Sequence, residues 1–520
     1  MTAGQARPAP ALGASAAARL REALAAAGYT HDGVLDLLGP SATSALSREE
    51  VVPAERATRG GSALETLVRL FALQLPVAEA AARAALTLDD CRAGGIVATD
   101  SGEVRAALDL RPYAADDADW WVASDLMPGL GDGSPAGPLP ADHVLGVGGA
   151  STTLAGITVR PAVGAALDLG TGSGVQALHL AAHAGRVVAT DANPRALAMA
   201  TLSAALSGAD LDLREGSLFE PVAGEAYDLV VSNPPFVVSP RGRFTYRDAG
   251  LAGDALAPLL IGQAPRHLRP GGWCQLLANW LHVDGEDWRE RLAGWIAPTG
   301  CDAWVVQREV LPAAEYVETW LRDSGDHRGP QYQALYGDWL DEFDRLGARA
   351  VGFGWITLRA SGAARPLLRL EDVRHPVDQP LGPEVERWFA RQDWLAAADD
   401  RAILTAPLRA HPRLVLEREQ RLSGGSGQGG GWAESALAVR VDGGLRGRGP
   451  IDGFGAAVLA ASDGSRPLSD VLDAVAAAHG MDPHGVREGA LGAVRALVER
   501  GLLEPPGKHG DPPWSGSGGV

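Results

Sequence analysis

Residues 230–240 read VVSNPPFVVSP, an apolar run that stops on an amide, two prolines and an aromatic ring. Proline has no backbone donor and a fixed φ, so Pro234 and Pro235 end the strand before them and leave Asn233 at its terminus with a free side-chain amide. The carboxyl ends of strands are where open α/β sheets hold their ligands. Upstream, AALDLGTGSGVQALHLAA (165–182) carries a short apolar strand into Gly170, Gly172 and Gly174 and then straight into a helix. Glycine lets backbone approach a ligand closely, and a helix N-terminus offers free N–H groups to negative charge, so a dinucleotide or a carboxylate suits this turn. Rossmann dehydrogenases and plain strand-to-helix turns share the pattern. The next strand, GRVVAT, ends at Asp191, about twenty residues past the glycines, where a carboxylate can accept from both hydroxyls of a ribose.

Three blocks of different texture surround these residues. From about 140 to 360, short apolar strands alternate with helical stretches, which predicts a doubly wound parallel sheet. YDLVVSNPPF is its fourth strand, RPGGWCQLLANW a turn into the fifth, and CDAWVVQREV and AVGFGWITLRA the closing sixth and seventh. Helices containing YVETWLRD and DWLDEFDRL lie between the last two, either over the cleft or as an outer layer. Ahead of the sheet, SALETLVRLFALQLPVAEAAARAAL has helical apolar spacing broken at Pro76, and GIVATDSGEVRAALDLRPYA pairs two runs across an Asp-Ser-Gly turn. Helices plus a terminal hairpin suggest a winged-helix shape. After about 370, SGGSGQGGG (423–431) reads as a flexible loop or linker, and two amphipathic helices near the end read as a small packing module, with a helix-turn-helix as the alternative. The first dozen and last fifteen or so residues look like loose tails.

Composition narrows the class. A chain of 520 residues with 46% hydrophobic and 21% charged side chains is globular and too long for one core. Its net charge of −18 opposes polyanions and acidic membranes, so any nucleic-acid contact has to be local or helped by a partner. Cys91, Cys274 and Cys301 form no CxxC pair, which fits a reducing interior and argues against zinc. His179 and His183 stand i, i+4 on the helix after the glycine loop, with no third metal ligand near them in sequence, and read as ordinary helix positions. No signal-type or membrane-spanning stretch is seen, so the expected location is the cytoplasm, with no membrane partner; no oligomeric state is implied.

In order and spacing, the glycine loop, Asp191 and NPPF resemble class I S-adenosylmethionine-dependent methyltransferases, specifically the Asn-Pro-Pro-aromatic branch that methylates nitrogens on planar groups. The resemblance covers roughly 200 residues. It implies an α/β fold with a Rossmann-like seven-stranded methyltransferase sheet at 136–362, set between a helical, winged-helix-like N-terminal domain (14–135) and a small C-terminal α+β, helical or winged-helix-like domain (370–505). It implies S-adenosyl-L-methionine as cofactor, with Asp168, Gly170, Thr171, Gly172 and Gly174 along the methionine part and Asp191 with Ala192 at the ribose. REGSLFEPV resembles the adenine-contact loop, which assigns Ser217 and Leu218 there, although relatives often carry an acidic residue in place of Ser217. No metal is implied.

Under the same resemblance Asn233, Pro234, Pro235 and Phe236 are catalytic, and Asn233 also borders the cofactor. An amide or exocyclic amino nitrogen is a poor nucleophile because its lone pair is delocalised. If the Asn233 side-chain oxygen accepts one N–H and the Pro234 carbonyl the other, the nitrogen is held in line with the methyl donor and biased toward tetrahedral geometry. Phe236 supplies a stacking surface. DHVLGVGGASTTL resembles the segment that closes over the cofactor, with hydroxyls at Ser151, Thr152 and Thr153, and Tyr246, Arg247 and Asp248 read either as polar residues at the substrate mouth or as a solvated loop. The whole signature resembles release-factor glutamine methyltransferases, and Phe in the last place also occurs in ribosomal RNA guanine-N2 and adenine-N6 enzymes. The acidic balance favours a protein glutamine or another translation-linked target over an RNA or DNA base. A small-molecule amine, and a cofactor-binding scaffold without catalysis, remain as alternatives.

Overall fold

The computed structural model describes residues 9–48, 50–115, 118–127, 130, 139–240, 251–326, 329–423 and 431–506. The chain falls into two compact units, residues 1–155 with 160–374, and residues 156–159 with 375–520.

The first unit is built on an eight-stranded sheet. Its strands are β1 Ala166–Leu169, β2 Val187–Asp191, β3 Asp212–Glu215, β4 Tyr227–Ser232, β5 Leu268–Val283, β6 Asp302–Pro312, β7 Ala348–Arg359 and β8 Leu368–Asp372. Their order across the sheet is β8-β6-β7-β5-β4-β1-β2-β3. β1 pairs in parallel with β2 and β4, and β4 with β5, while β7 runs antiparallel to both β5 and β6. The sheet is therefore mixed, not wholly parallel, and β8, parallel to β6, adds an eighth strand to the seven expected. All four residues of β1 are buried, as a strand covered on both faces requires.

Helices α1 Val175–Ala181 and α2 Pro194–Ser207 follow β1 and β2. Between β6 and β7 the chain inserts α3 Ala313–Asp323 and α4 Tyr332–Arg345. Their apolar faces pack with Val237, Val238, Leu281 and Val351 into one cluster beside the NPPF turn.

The N-terminal part of the same unit brings a short strand, two helices and a hairpin together. Val77–Ala78 leads into helices Glu79–Ala85 and Leu88–Ala93, and then strands Val97–Asp100 and Glu103–Ala106 pair across the expected turn. The third strand of that small sheet is Val77–Ala78. Upstream, Ser62 and Glu65 form a reciprocal capping box at the helix that starts the Pro76-broken stretch. A second hairpin, Asp109–Ala115 with Ala118–Ser124, turns back onto α2. Trp121 N donates to Ser207 Oγ at 3.1 Å and Ala123 N to Ser203 Oγ at 2.9 Å. Met199, Leu202 and Leu206 of α2 are buried in one core with Leu20, Leu70 and Phe71 of the N-terminal helices. Trp120 and Val122 likewise cover Val175 and Leu178 of α1.

The second unit is α+β. Strands Leu414–Ser423 and Gly431–Val441, which flank the glycine-rich stretch, pair as a long antiparallel ribbon. Residues 424–430 lie outside the described residues. The amphipathic pair near the C-terminus forms helices Leu468–Ala478 and Pro483–Glu499, whose Val471, Leu472, Val475 and Val498 are core residues of this unit.

Candidate active site

The carboxyl ends of β1, β2 and β4 bring the sequence motifs together. β1 ends in Leu169 and the chain turns at Gly170 (φ 77°), Gly172 (φ 55°) and Gly174 (φ 90°), left-handed conformations that favour glycine. A Cβ at Gly170 or Gly172 meets no atom within 4 Å, so the loop faces open space, whereas one at Gly174 comes within 3.3 Å of the Ala200 backbone. Thr190 O accepts from both Gly170 N and Thr171 N at 2.9 Å, which holds the loop to the end of β2.

Asp168 is 1% exposed. Its Oδ2 accepts from Thr171 Oγ1 at 2.6 Å and Ala177 N at 3.0 Å. Oδ1 has no hydrogen-bond partner among the described residues. Burial pushes this carboxyl up to about 7, against the lowering effect of the Thr171 and Ala177 bonds.

Asp191, at the end of β2, is aimed by backbone. Gly172 N donates to its Oδ2 at 2.9 Å and Asn193 N to its Oδ1 at 2.8 Å, and the Ala192 N–H adds to the set. Burial still raises its pKa. Of the carboxylate's four or so acceptor positions, these three donors leave one for a further donor. Gly216 N donates to Asp191 O at 3.0 Å, which puts Ser217 and Leu218 beside that residue. Leu218 is held at φ 49°, a conformation that costs a leucine of order 1–3 kcal/mol.

β4 runs beside β1 and is tied to it where both end, because Ser232 Oγ donates to Leu169 O at 2.7 Å. Asn233 follows half-buried, Pro234 is buried, and Pro235 and Phe236 are half-buried. A small pocket beside the turn is lined by Pro234, Pro235, Phe236, Asp254, Leu277 and Asn279. Asp254 is already engaged there, by Arg291 at 2.8 Å and by Leu281 N at 2.8 Å. Tyr246, Arg247 and Asp248 lie outside the described residues. In the segment before β1, Thr152 Oγ1 donates to Gly149 O at 3.1 Å and Ser151 O accepts from Gln176 Nε2 at 2.8 Å. His179 and His183 sit in packing: Tyr113 Oη is 3.0 Å from His179 Nε2, Trp120 meets that ring edge-on, and His183 Nδ1 is 2.9 Å from Pro161 O.

Two features of the site are absent from any motif. Tyr316 of α3 is fully buried, and its hydroxyl accepts from Val238 N at 2.9 Å and from Asn279 Nδ2 at 3.3 Å, which pins the chain just past Phe236 to the end of β5. At the other end of the site, Asn193 Nδ2 donates to Asp142 O at 3.1 Å, so the segment before β1 is laid against the turn that carries Asp191. Only the helical spacing of YVETWLRD hinted at the first, and nothing local marked the second.

With this geometry, residues 148–284 match the family described as methyltransferase small domain. The central block is thus similar to a methyltransferase small domain. Residues 26–107 and 386–505 match two families described only as domains of unknown function. A release factor glutamine methyltransferase of Geobacter sulfurreducens is 36% identical over 166 residues, which cover 28% of this chain and 55% of that one. Another, from Xylella fastidiosa, is 40% identical over 126 residues, covering 22% and 46%. A ribosomal RNA small subunit methyltransferase C of Alcanivorax borkumensis is 34% identical over 116 residues, 22% of this chain and 32% of the relative. The chain thus spans about half the length of the glutamine methyltransferases it matches. A solved 16S rRNA N2 G1207 methyltransferase from T. Thermophilus shares 18% identity over 47% of this chain and 66% of that one, with a TM-score of 0.25, at which the likeness carries no argument.

S-adenosylmethionine is the cofactor of methyltransferase small domains, and the residues here fit it. The unpartnered Oδ1 of buried Asp168 suits an ammonium group, the open glycine loop admits a chain beside it, and Asp191 has an acceptor position left for a ribose hydroxyl. No helix among the described residues is long and apolar enough to cross a membrane.

Proposed function

We propose that the chain is an S-adenosylmethionine-dependent N-methyltransferase whose acceptor is the planar nitrogen of a protein glutamine side chain or another translation-linked target. The observation that carries this reading is the half-buried Asn233 at the very end of β4, held against the end of β1 by the Ser232–Leu169 bond. When bound, the cofactor supplies an electrophilic methyl group on a sulfonium. The Asn233 side-chain oxygen and the Pro234 carbonyl accept the two N–H groups of the acceptor and localise its lone pair. Held in this way the nitrogen would present its lone pair to the methyl group that the cofactor would supply, and would give up its proton to water. Phe236 stacks on the planar group, and Tyr316 keeps Val238, and so the turn, in register with β5.

Asp168 and the glycine loop hold the methionine part, Asp191 with Ala192 the ribose, and Ser217 with Leu218 the adenine. The blocks at 14–135 and 370–505 choose the target around a catalytic block at 136–362, in the cytoplasm. The net charge of −18 supports protein over nucleic acid, and the relatives include both kinds. Incubating the full chain with methyl-labelled cofactor and a bacterial lysate tests this directly. Label removed by protease supports it; label removed by nuclease transfers the reading to a base; no transfer supports a binding scaffold.

Asp168 makes a pH prediction. Its folded pKa is raised above the unfolded carboxylate value, so its contribution to stability is present below that value and is lost as pH rises through about 7. Asp168→Asn should therefore melt later than wild type at pH 8 without cofactor and lose that advantage at acidic pH. Binding an ammonium reverses the preference, so wild-type cofactor affinity should rise about tenfold per pH unit up to pH 7 and level off as the cofactor's own amino group deprotonates near 8. Asp168→Asn should bind weakly with no such slope. Calorimetric titrations from pH 5.5 to 8 with a parallel wild-type and Asn slope would refute the assignment.

A further inference from the structure

We propose that Asp125, contributed by the N-terminal part of the chain, is a positioning residue for the ribose end of the cofactor site, so that this part helps bind cofactor as well as target. The proposal rests on the reading of Asp191 as the ribose ligand. Asp125 stands one residue past the strand Ala118–Ser124 and is 3% exposed. Its carboxylate accepts from Arg195 Nε at 3.1 Å on both oxygens and from a terminal guanidinium nitrogen at 2.5 Å. The same carboxylate accepts from Val144 N at 2.9 Å, and Asp125 N donates to Val144 O at 3.0 Å. One buried acid thus clamps both the first turn of α2 and the segment that precedes β1.

Those two elements meet at Asn193. From the segment, Asp142 O takes the Asn193 side-chain amide at 3.1 Å. From the helix, Arg195 N donates to Asn193 Oδ1 at 3.0 Å as its N-cap bond. Asn193 N in turn donates to Asp191 Oδ1 at 2.8 Å. Hydrogen bonds between Asp125 and Val144, Asp142 and Asn193, Asn193 and Arg195, and Arg195 and Asp125, joined by the chain between Asp142 and Val144, therefore close a ring, and the carboxylate aimed at the ribose hangs from it. Asp125→Asn keeps the shape, removes the charge that pairs with a nearly buried guanidinium, and puts a donor where acceptors are needed. The ring loosens, and with it the aim of Asp191.

The test uses the full chain and S-adenosylhomocysteine as probe, with Kd from calorimetry and Tm from scanning calorimetry. Asp125→Asn is expected to raise Kd about tenfold, within the range seen when an indirect contact in a coupled network is broken. Tyr29→Phe is the control, because it removes another buried bond of the N-terminal core, to Leu110 O at 2.8 Å, and should lower Tm with Kd unchanged. A wild-type Kd in Asp125→Asn overturns the proposal, and so do Kd changes that track Tm in both variants. If Asp125→Asn does not fold, Arg195→Lys, which keeps the charge and forfeits the fork, carries the test by the same criteria. A wild-type chain that binds no S-adenosylhomocysteine overturns this proposal and the parent reading together, whereas failure of Asp125→Asn alone leaves the parent standing.

Discussion

Asn233→Ala is expected to lower turnover by about a hundredfold or more while cofactor affinity barely changes, the size of effect seen when one preorganised polar contact to a transition state is removed. The asymmetry follows from position. Asn233 lies beyond the last paired residue of β4, half-buried, and Asp168 and Asp191, the groups assigned to the cofactor, take their aim from Thr171, Ala177, Gly172 and Asn193 instead. Asn233→Asp keeps an acceptor in nearly the same shape and should retain more activity than Ala. Phe236→Tyr should be tolerated and Phe236→Ala should not, since a stacking surface is what the ring contributes. Rates would be measured at saturating cofactor on the target identified by label transfer. An unchanged rate in Asn233→Ala would reduce the NPPF turn to a strand terminator.

Deleting residues 1–135 should leave a fragment without a cooperative fold. From sequence, the motifs between 142 and 240 and a complete strand count predict that a fragment of about 135–365 binds cofactor and loses only its target. The structure makes the opposite expectation. Val175, Leu178, Met199, Leu202 and Leu206 are all under 5% exposed, and the N-terminal part covers them. Stripping that cover from five large apolar side chains, at about 1.5–3 kcal/mol each for full exposure, removes stability comparable to the whole margin of a typical domain. The deletion also leaves Arg195, 8% exposed, without the Asp125 carboxylate. A sharp thermal transition in the fragment, near that of the full chain and shifted upward by cofactor, would show that the cover is dispensable.

Three positive-φ glycines, a carboxylate at a strand end and a double proline are local features, and the sequence by itself determined them together with the chemistry they suit. Their backbone demands are met within a few residues: Pro234 and Pro235 end a strand wherever they stand, and Gly170 and Gly172 take conformations that other residues resist. The places of the strands along the chain followed as well, because buried strands read as short apolar runs, but their order across the sheet, the antiparallel β7 and the eighth strand did not. What only the tertiary structure decided is everything held by pairs distant in the chain. Tyr316 and Val238 are 78 residues apart, and Arg195 and Asp125 are 70 apart. No spacing rule links such pairs, since each half is an unremarkable Tyr or Asp until folding buries it opposite a donor. Helix α2 did carry a signal in PRALAMATLSAALS, which has apolar residues around most of its circumference. Such a helix must be covered on two sides, one by the sheet and one by another element. Which element covers it depends on long-range packing, whose free energy comes from total buried area and not from any local pattern.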